Sequence, residues 1–129
     1  MANVKLIEDY IKYSLNDIRK NMEELRQTKV YATKYSEDKK IDPERRKALR
    51  LIVEVCKSLL AFFSFCEKSY SLEDDVNKFQ FIRLTESKKN GAIKKLNKLI
   101  KFIEEKNIKD VDLGFWEKYK ESLENIKFD

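Results

Sequence analysis

The chain contains no histidine, and that absence removes much of the chemistry open to a small helical protein. Ser-His-Asp and Cys-His nucleophiles need an imidazole to take a proton. Histidine-based zinc sites and the Glu-x-x-His di-iron pattern of helical bundles fall with it. Cys56 and Cys66 supply two thiolates, too few for a four-thiolate zinc or iron–sulfur site within one chain. Glycine stands only at positions 91 and 114, so neither GxxxxGK[ST] nor GxGxxG occurs. Glu104, Glu105, Asp110 and Asp112 offer carboxylates to Mg²⁺, but a solvated helix end and a helix cap are the better readings. A Ser–Lys pair or a carboxylate dyad assembled in space stays as a third-rank reading with no spacing behind it. No metal, cofactor or small-molecule substrate is implied, and the chain is not expected to be an enzyme.

The residue types that remain favour cation chemistry toward phosphate. Residues 83–101 hold Arg83, Lys88, Lys89, Lys94, Lys95, Lys98 and Lys101 against Glu86 alone, a local +6. Residues 28–50 hold eight bases against four acids, a local +4, and Lys34, Lys39, Lys40, Arg45, Arg46 and Arg50 are its candidate contacts. The rest of the chain is neutral or acidic, so these two segments carry the whole excess of the +5 net charge. Lys94, Lys98 and Lys101 share one helical stripe opposite Ile93, Leu96 and Ile100, a pattern that can follow a phosphate backbone. The competing reading is an ordinary solvated helix face. The run Lys29-Val30-Tyr31-Ala32-Thr33-Lys34-Tyr35 interleaves bases with aromatics, as single-strand binders do. Tyr31 and Tyr35 are also four apart, and packing into the core is the favoured reading for both. Arg45, Arg46, Lys47 and Arg50 sit at a helix start, where cations oppose the dipole. Trp116 and Tyr119 are the residue types of protein-interface anchors, while locking a terminal helix onto the bundle is their commoner use.

These residues need helices to position them. Two glycines and one proline in 129 residues leave too little turn chemistry for a β or α/β domain. Val4, Ile7, Ile11, Leu15, Ile18, Met22 and Leu25 recur at steps of three and four, the helical period, and the pattern extends to Tyr35. Whether that helix is continuous or breaks near Thr28-Lys29 is left open. Asp42-Pro43 predicts an N-cap and N1 for a second helix running to about Ser69. Its apolar residues between Leu49 and Cys66 cover more than half its circumference, which predicts a central helix. It is too short and too polar for the roughly 20 apolar residues that span a bilayer. Ser71-Leu72-Glu73-Asp74 resembles a capping box opening a third helix with Val76, Phe79, Ile82 and Leu84 inward. Asn90-Gly91 either breaks that helix or lies within it. Ile93 to Ile103 is clearly amphipathic, and Asp112 predicts the cap of a last helix.

The expectation is an all-α, single-domain four- or five-helix bundle over residues 1–129, with a long N-terminal helical hairpin around a central apolar helix. A 30-residue helix is about 45 Å long and a compact body this size about 36 Å across, so an unbroken hairpin would project. Two cysteines ten residues apart on one helix cannot bridge, and no leader is visible in MANVKLIEDY. A cytoplasmic protein is therefore expected. Its first functional reading is a non-catalytic subunit of a larger assembly, contacting RNA or DNA through lysine-rich helix faces and meeting a protein partner or its own copy. The alternative is a protein-only adaptor or inhibitor, of the kind viruses or plasmids use against a host machine. No membrane contact is expected.

Overall fold

The computed structural model describes residues 4–128. The order is β1 (Lys5–Leu6), α1 (Ile7–Tyr13), α2 (Leu15–Ser36), α3 (Pro43–Ser71), α4 (Asp75–Glu105), α5 (Leu113–Glu124) and β2 (Ile126–Lys127). Over the described residues this is an all-α bundle of five helices with one two-residue ladder.

The first amphipathic run is bent, and neither continuous nor broken at Thr28-Lys29. Ser14 has φ −115° and ψ 19°, but its N–H still donates to the Tyr10 carbonyl and its carbonyl accepts from Ile18 N–H, each at 2.9 Å. The bend lets Ile7 and Ile11 on one side of it, and Ile18, Met22 and Leu25 on the other, all reach the core.

α3 forms as its ends dictate. The Asp42 carboxylate accepts from Glu44 N–H at 3.0 Å and Pro43 occupies N1. Its Val55, Cys56, Leu59, Phe62, Phe63 and Cys66 are essentially solvent-free, with α2 and α4 packed along it and α1 against it. The expected central helix is therefore the observed one. The hairpin end does not project freely, because α3 and α4 are both long, 29 and 31 residues, and the body is elongated with them. Residues 106–116 brace that end: Arg45 pairs with Asp110 at 2.9 Å, and Ile108 and Trp116 line one groove with Tyr35 and Ile41.

The start of α4 corrects the expected cap. Ser71 closes α3, its hydroxyl donating to the Lys68 carbonyl at 2.9 Å. Asp74 is the cap instead, accepting from Val76 N–H at 2.9 Å. Asn90-Gly91 does not interrupt α4, which runs unbroken for 31 residues. Gly91 is exposed, with nothing within 4 Å of the position a Cβ would take. Gly91→Ala should therefore raise stability by about 0.5–1 kcal/mol, read as a shift of the urea midpoint at unchanged slope. The last helix keeps its expected cap, Asp112 accepting from Phe115 N–H at 3.2 Å.

The chain ends meet. β1 and β2 pair in parallel, Lys5 opposite Ile126. The Lys89 ammonium donates to the Ile126 carbonyl at 3.0 Å and lies 5.1 Å from the Phe128 ring centroid.

Candidate nucleic-acid interface

Because α4 is one helix, residues 83–101 share one axis. At about 100° per residue, Arg83, Lys94, Lys98 and Lys101 fall within about 60° of each other. They form a line about 27 Å long. The opposite side of α4 carries the buried Thr85, Ala92, Leu96 and Leu99, so the line faces water. Lys101 reaches Glu105 at 3.9 Å with both side chains mostly exposed, a contact of little energy. Among the described residues, Arg83, Lys94, Lys95 and Lys98 form no ion pair.

Two members of the predicted set do other work. Lys89 is bonded into the chain ends, and burial pulls its pKa below the ordinary range while Glu86 pushes back. Lys89→Met should cost about 1–2 kcal/mol of stability, measured by urea unfolding, as the Ile126 carbonyl loses its charged donor. Lys88 lies 5.4 Å from the Phe65 centroid on the seam between α3 and α4.

The other basic segment is spread over the end of α2, the α2–α3 connection and the start of α3. Lys34 lies on α2 over the Tyr35 ring, and Lys39 and Lys40 stand in the α2–α3 connection. Arg45 is held by Asp42 at 3.5 Å and by Asp110. Arg46 is half-buried, its Nε without a hydrogen-bond partner among the described residues. Arg50 is exposed on α3. Lys47 crosses to α4, 5.0 Å from the Phe102 centroid. Of the dipole-opposing cations at the start of α3, Arg45 and Lys47 thus find partners within the chain, and only part of the segment is free for an outside anion.

The aromatic residues separate in a way their spacing did not predict. Trp116 and Tyr119 are buried, and the Tyr119 hydroxyl donates to Glu24 at 2.9 Å, which ties α5 to α2. Their surface is used inside the bundle. Tyr31 is 60% exposed and Val30 71%, while Tyr35 is half-buried with its ring 4.6 Å from that of Tyr31. Beside this pair a groove of about 470 Å³ is lined by Leu49, Ile52, Val111 and Trp116. Its rim polar groups are already bonded: Asp112 caps α5, Asp110 holds Arg45 and the Thr28 hydroxyl donates to the Glu24 carbonyl. Such a groove suits an apolar anchor more than a polar ligand. Val76, Phe79 and Leu84, expected inward, are 67%, 60% and 52% exposed.

Cys56 and Cys66 are buried, unbridged thiols on α3, each pushed up to about 12 by burial, with Lys29 opposing the shift at Cys56. A thiolate is the reactive form. A thiol reagent at neutral pH should therefore leave the native protein unmodified and label both cysteines in denaturant. Among the described residues no group of three potential metal ligands converges, and no helix is long and apolar enough to cross a membrane.

Fold and surfaces together define a small basic five-helix bundle with a cationic line on α4 and an aromatic groove on α2. Neither protein-family models, nor curated proteins, nor solved structures match this chain.

Proposed function

We propose that this protein is a non-catalytic helical subunit of a larger assembly that lays α4 along a nucleic-acid backbone and meets a protein neighbour beside α2. The continuity of α4 carries the reading. It sets Arg83, Lys94, Lys98 and Lys101 on one outward line whose ion pairing, among the described residues, is limited to the contact of Lys101 with Glu105. Cations so placed release counterions from phosphate on contact. Three lysine–phosphate contacts give a log–log salt slope of about −2 on a single strand and about −3 on a duplex. Titration of labelled RNA and DNA across ionic strength tests this, and a protein that binds neither at low salt would not be such a subunit. Unbridged buried thiols fit action in a reducing cytoplasm.

A protein-only adaptor or inhibitor is the second reading, favoured by the exposure of Val30 and Tyr31 beside the apolar groove. Recovery of a stoichiometric partner from the native host, lost in Tyr31→Ala, with no affinity for nucleic acid, would select it over the first.

A further inference from the structure

A cleft lies at the head of the cationic line. It has a volume of about 210 Å³ and is bounded by Leu6, Glu8, Phe79, Arg83, Lys127 and Phe128. It joins the N-terminal half of α4 to the paired chain ends, and Arg83 belongs both to its wall and to the cationic line. We infer that this cleft takes one unstacked base of a single-stranded nucleic acid whose backbone runs along α4 toward Lys101. The inference rests on the phosphate-binding reading of α4.

Four features carry it. Phe79 keeps 60% of its surface in water, whereas the Phe side chains of the core, Phe62 and Phe63, keep almost none. An exposed ring beside cations is what a base–aromatic stack requires. The Arg83 guanidinium sits 5.3 Å from the Phe79 ring centroid, so ring and cation form one amphipathic unit able to meet base and phosphate together. The cleft is smaller than the pockets of about 300–1,000 Å³ that hold drug-sized ligands, and a single planar ring system is of its scale. Charge sets the direction: Glu73 and Asp74 lie just before α4 and repel phosphate, while Lys94, Lys98 and Lys101 lie beyond Arg83 and attract it. In the cleft, Glu8 offers a carboxylate to a base amino or imino group, and Lys127 offers a second cation to a flanking phosphate. A duplex has its bases stacked inside and offers none to Phe79, so the cleft separates single strands from duplexes where the lysines alone do not.

The test uses fluorescent oligo(dT) and oligo(U) of about 12 nucleotides, within the span of single-strand sites, and a duplex of the same length. Binding is followed by anisotropy for wild type, Phe79→Ala, Phe79→Trp and the double variant K94E/K98E. Phe79 is exposed, so its substitutions should leave helical content unchanged by circular dichroism. The expected result is about tenfold weaker single-strand binding in Phe79→Ala, corresponding to roughly 1.4 kcal/mol of lost stacking, with duplex binding unaltered. K94E/K98E should weaken both ligands. In Phe79→Trp the added tryptophan should be quenched by the single strand and not by the duplex, against the buried Trp116 of wild type as reference. If Phe79→Ala binds single strands as wild type does while K94E/K98E fails, the base cleft is overturned and the phosphate reading stands. If no oligonucleotide binds at low salt, both are overturned. Binding confined to vesicles of mixed phosphatidylserine and phosphatidylcholine, and lost in Phe79→Ala, would overturn the inference in favour of a membrane-surface role.

Discussion

Reversing three charges on α4, as K94E/K98E/K101E, is expected to weaken nucleic-acid binding by at least about 100-fold near physiological salt. An exposed charge pair is worth up to about 1 kcal/mol, and three lysine–phosphate contacts at that value convert to roughly two decades in Kd. The new carboxylates add repulsion within a Debye length of about 8 Å. The salt slope should flatten by about two on a single strand and about three on a duplex. Folding should survive, since the three residues face water and Glu and Lys have nearly equal helix propensity. The new glutamate at position 101 sits one turn from Glu105, and such like-charge pairs are destabilising by about 0.2–0.5 kcal/mol. The matching control is K34E/K39E/K40E, at the end of α2 and in the α2–α3 connection, which removes the same charge outside α4. It should lose no more than a few-fold through the weaker overall field. Equal losses in the two variants would make net charge, and not the α4 line, the cause of binding. An unchanged affinity in the α4 variant would remove α4 from the interface.

Much of the bundle was legible because helices announce themselves through period and caps. Asp42-Pro43 and Asp112 gave two starts correctly, since a short carboxylate before an apolar-periodic run has few other local uses. The central helix was legible because the thirteen apolar residues from Leu49 to Cys66 exceed the stripe a surface helix needs. The start of α4 was misplaced because Ser71 and Asp74 are both competent caps three residues apart. Side chains of α3 decided between them: the Ser69 and Ser71 hydroxyls bond back to the Phe65 and Lys68 carbonyls and carry α3 two residues beyond its expected end. The pairing of Lys5 with Ile126 left no local signal, because it joins segments from the two ends of the sequence.

The candidate site was legible in composition and not in placement. The bases of 83–101 were found by counting, but their union on one line depended on Asn90-Gly91 staying helical, which local propensity leaves undecided. Phe79 and Tyr31 were read as inward because apolar residues at helical spacing usually are. Burial depends on whether a neighbouring element covers that face, and Tyr31 on α2 and Phe79 on α4 both stay mostly exposed. An exposed aromatic beside cations was the missing signal, and it becomes visible only after the packing is known. Lys89 is the converse case, a base in a basic run that turns inward to hold the Ile126 carbonyl.

A steep loss of stability in alkali is the largest effect expected on the fold. The Cys56 and Cys66 thiols are held protonated by burial, their pKa values raised from an ordinary 9.0 to about 12. Above pH 9 the unfolded chain releases these protons and the folded chain does not, so unfolding is favoured as pH rises, until the folded thiols ionise near pH 12. Below pH 9 the contribution is fully present. Each thiol removes about 1.4 kcal/mol per pH unit in that window, so the pair removes roughly 5 kcal/mol by pH 11, comparable to the whole stability of many domains of this size. Two tyrosines act in the same direction above pH 10. Tyr10 is raised by burial and then by Cys66 and Asp17, and Tyr119 by burial and then by its hydrogen bond to Glu24. Urea midpoints should therefore be flat from pH 7 to 9 and fall sharply from pH 9 to 11. In C56A/C66A, with its own pH 7 value as reference, the fall between pH 9 and 10 should nearly vanish, leaving the later tyrosine-driven decline above pH 10. An equally steep fall between pH 9 and 10 in that variant would remove the thiols as its cause, and a flat wild-type profile to pH 11 would contradict their burial in α3.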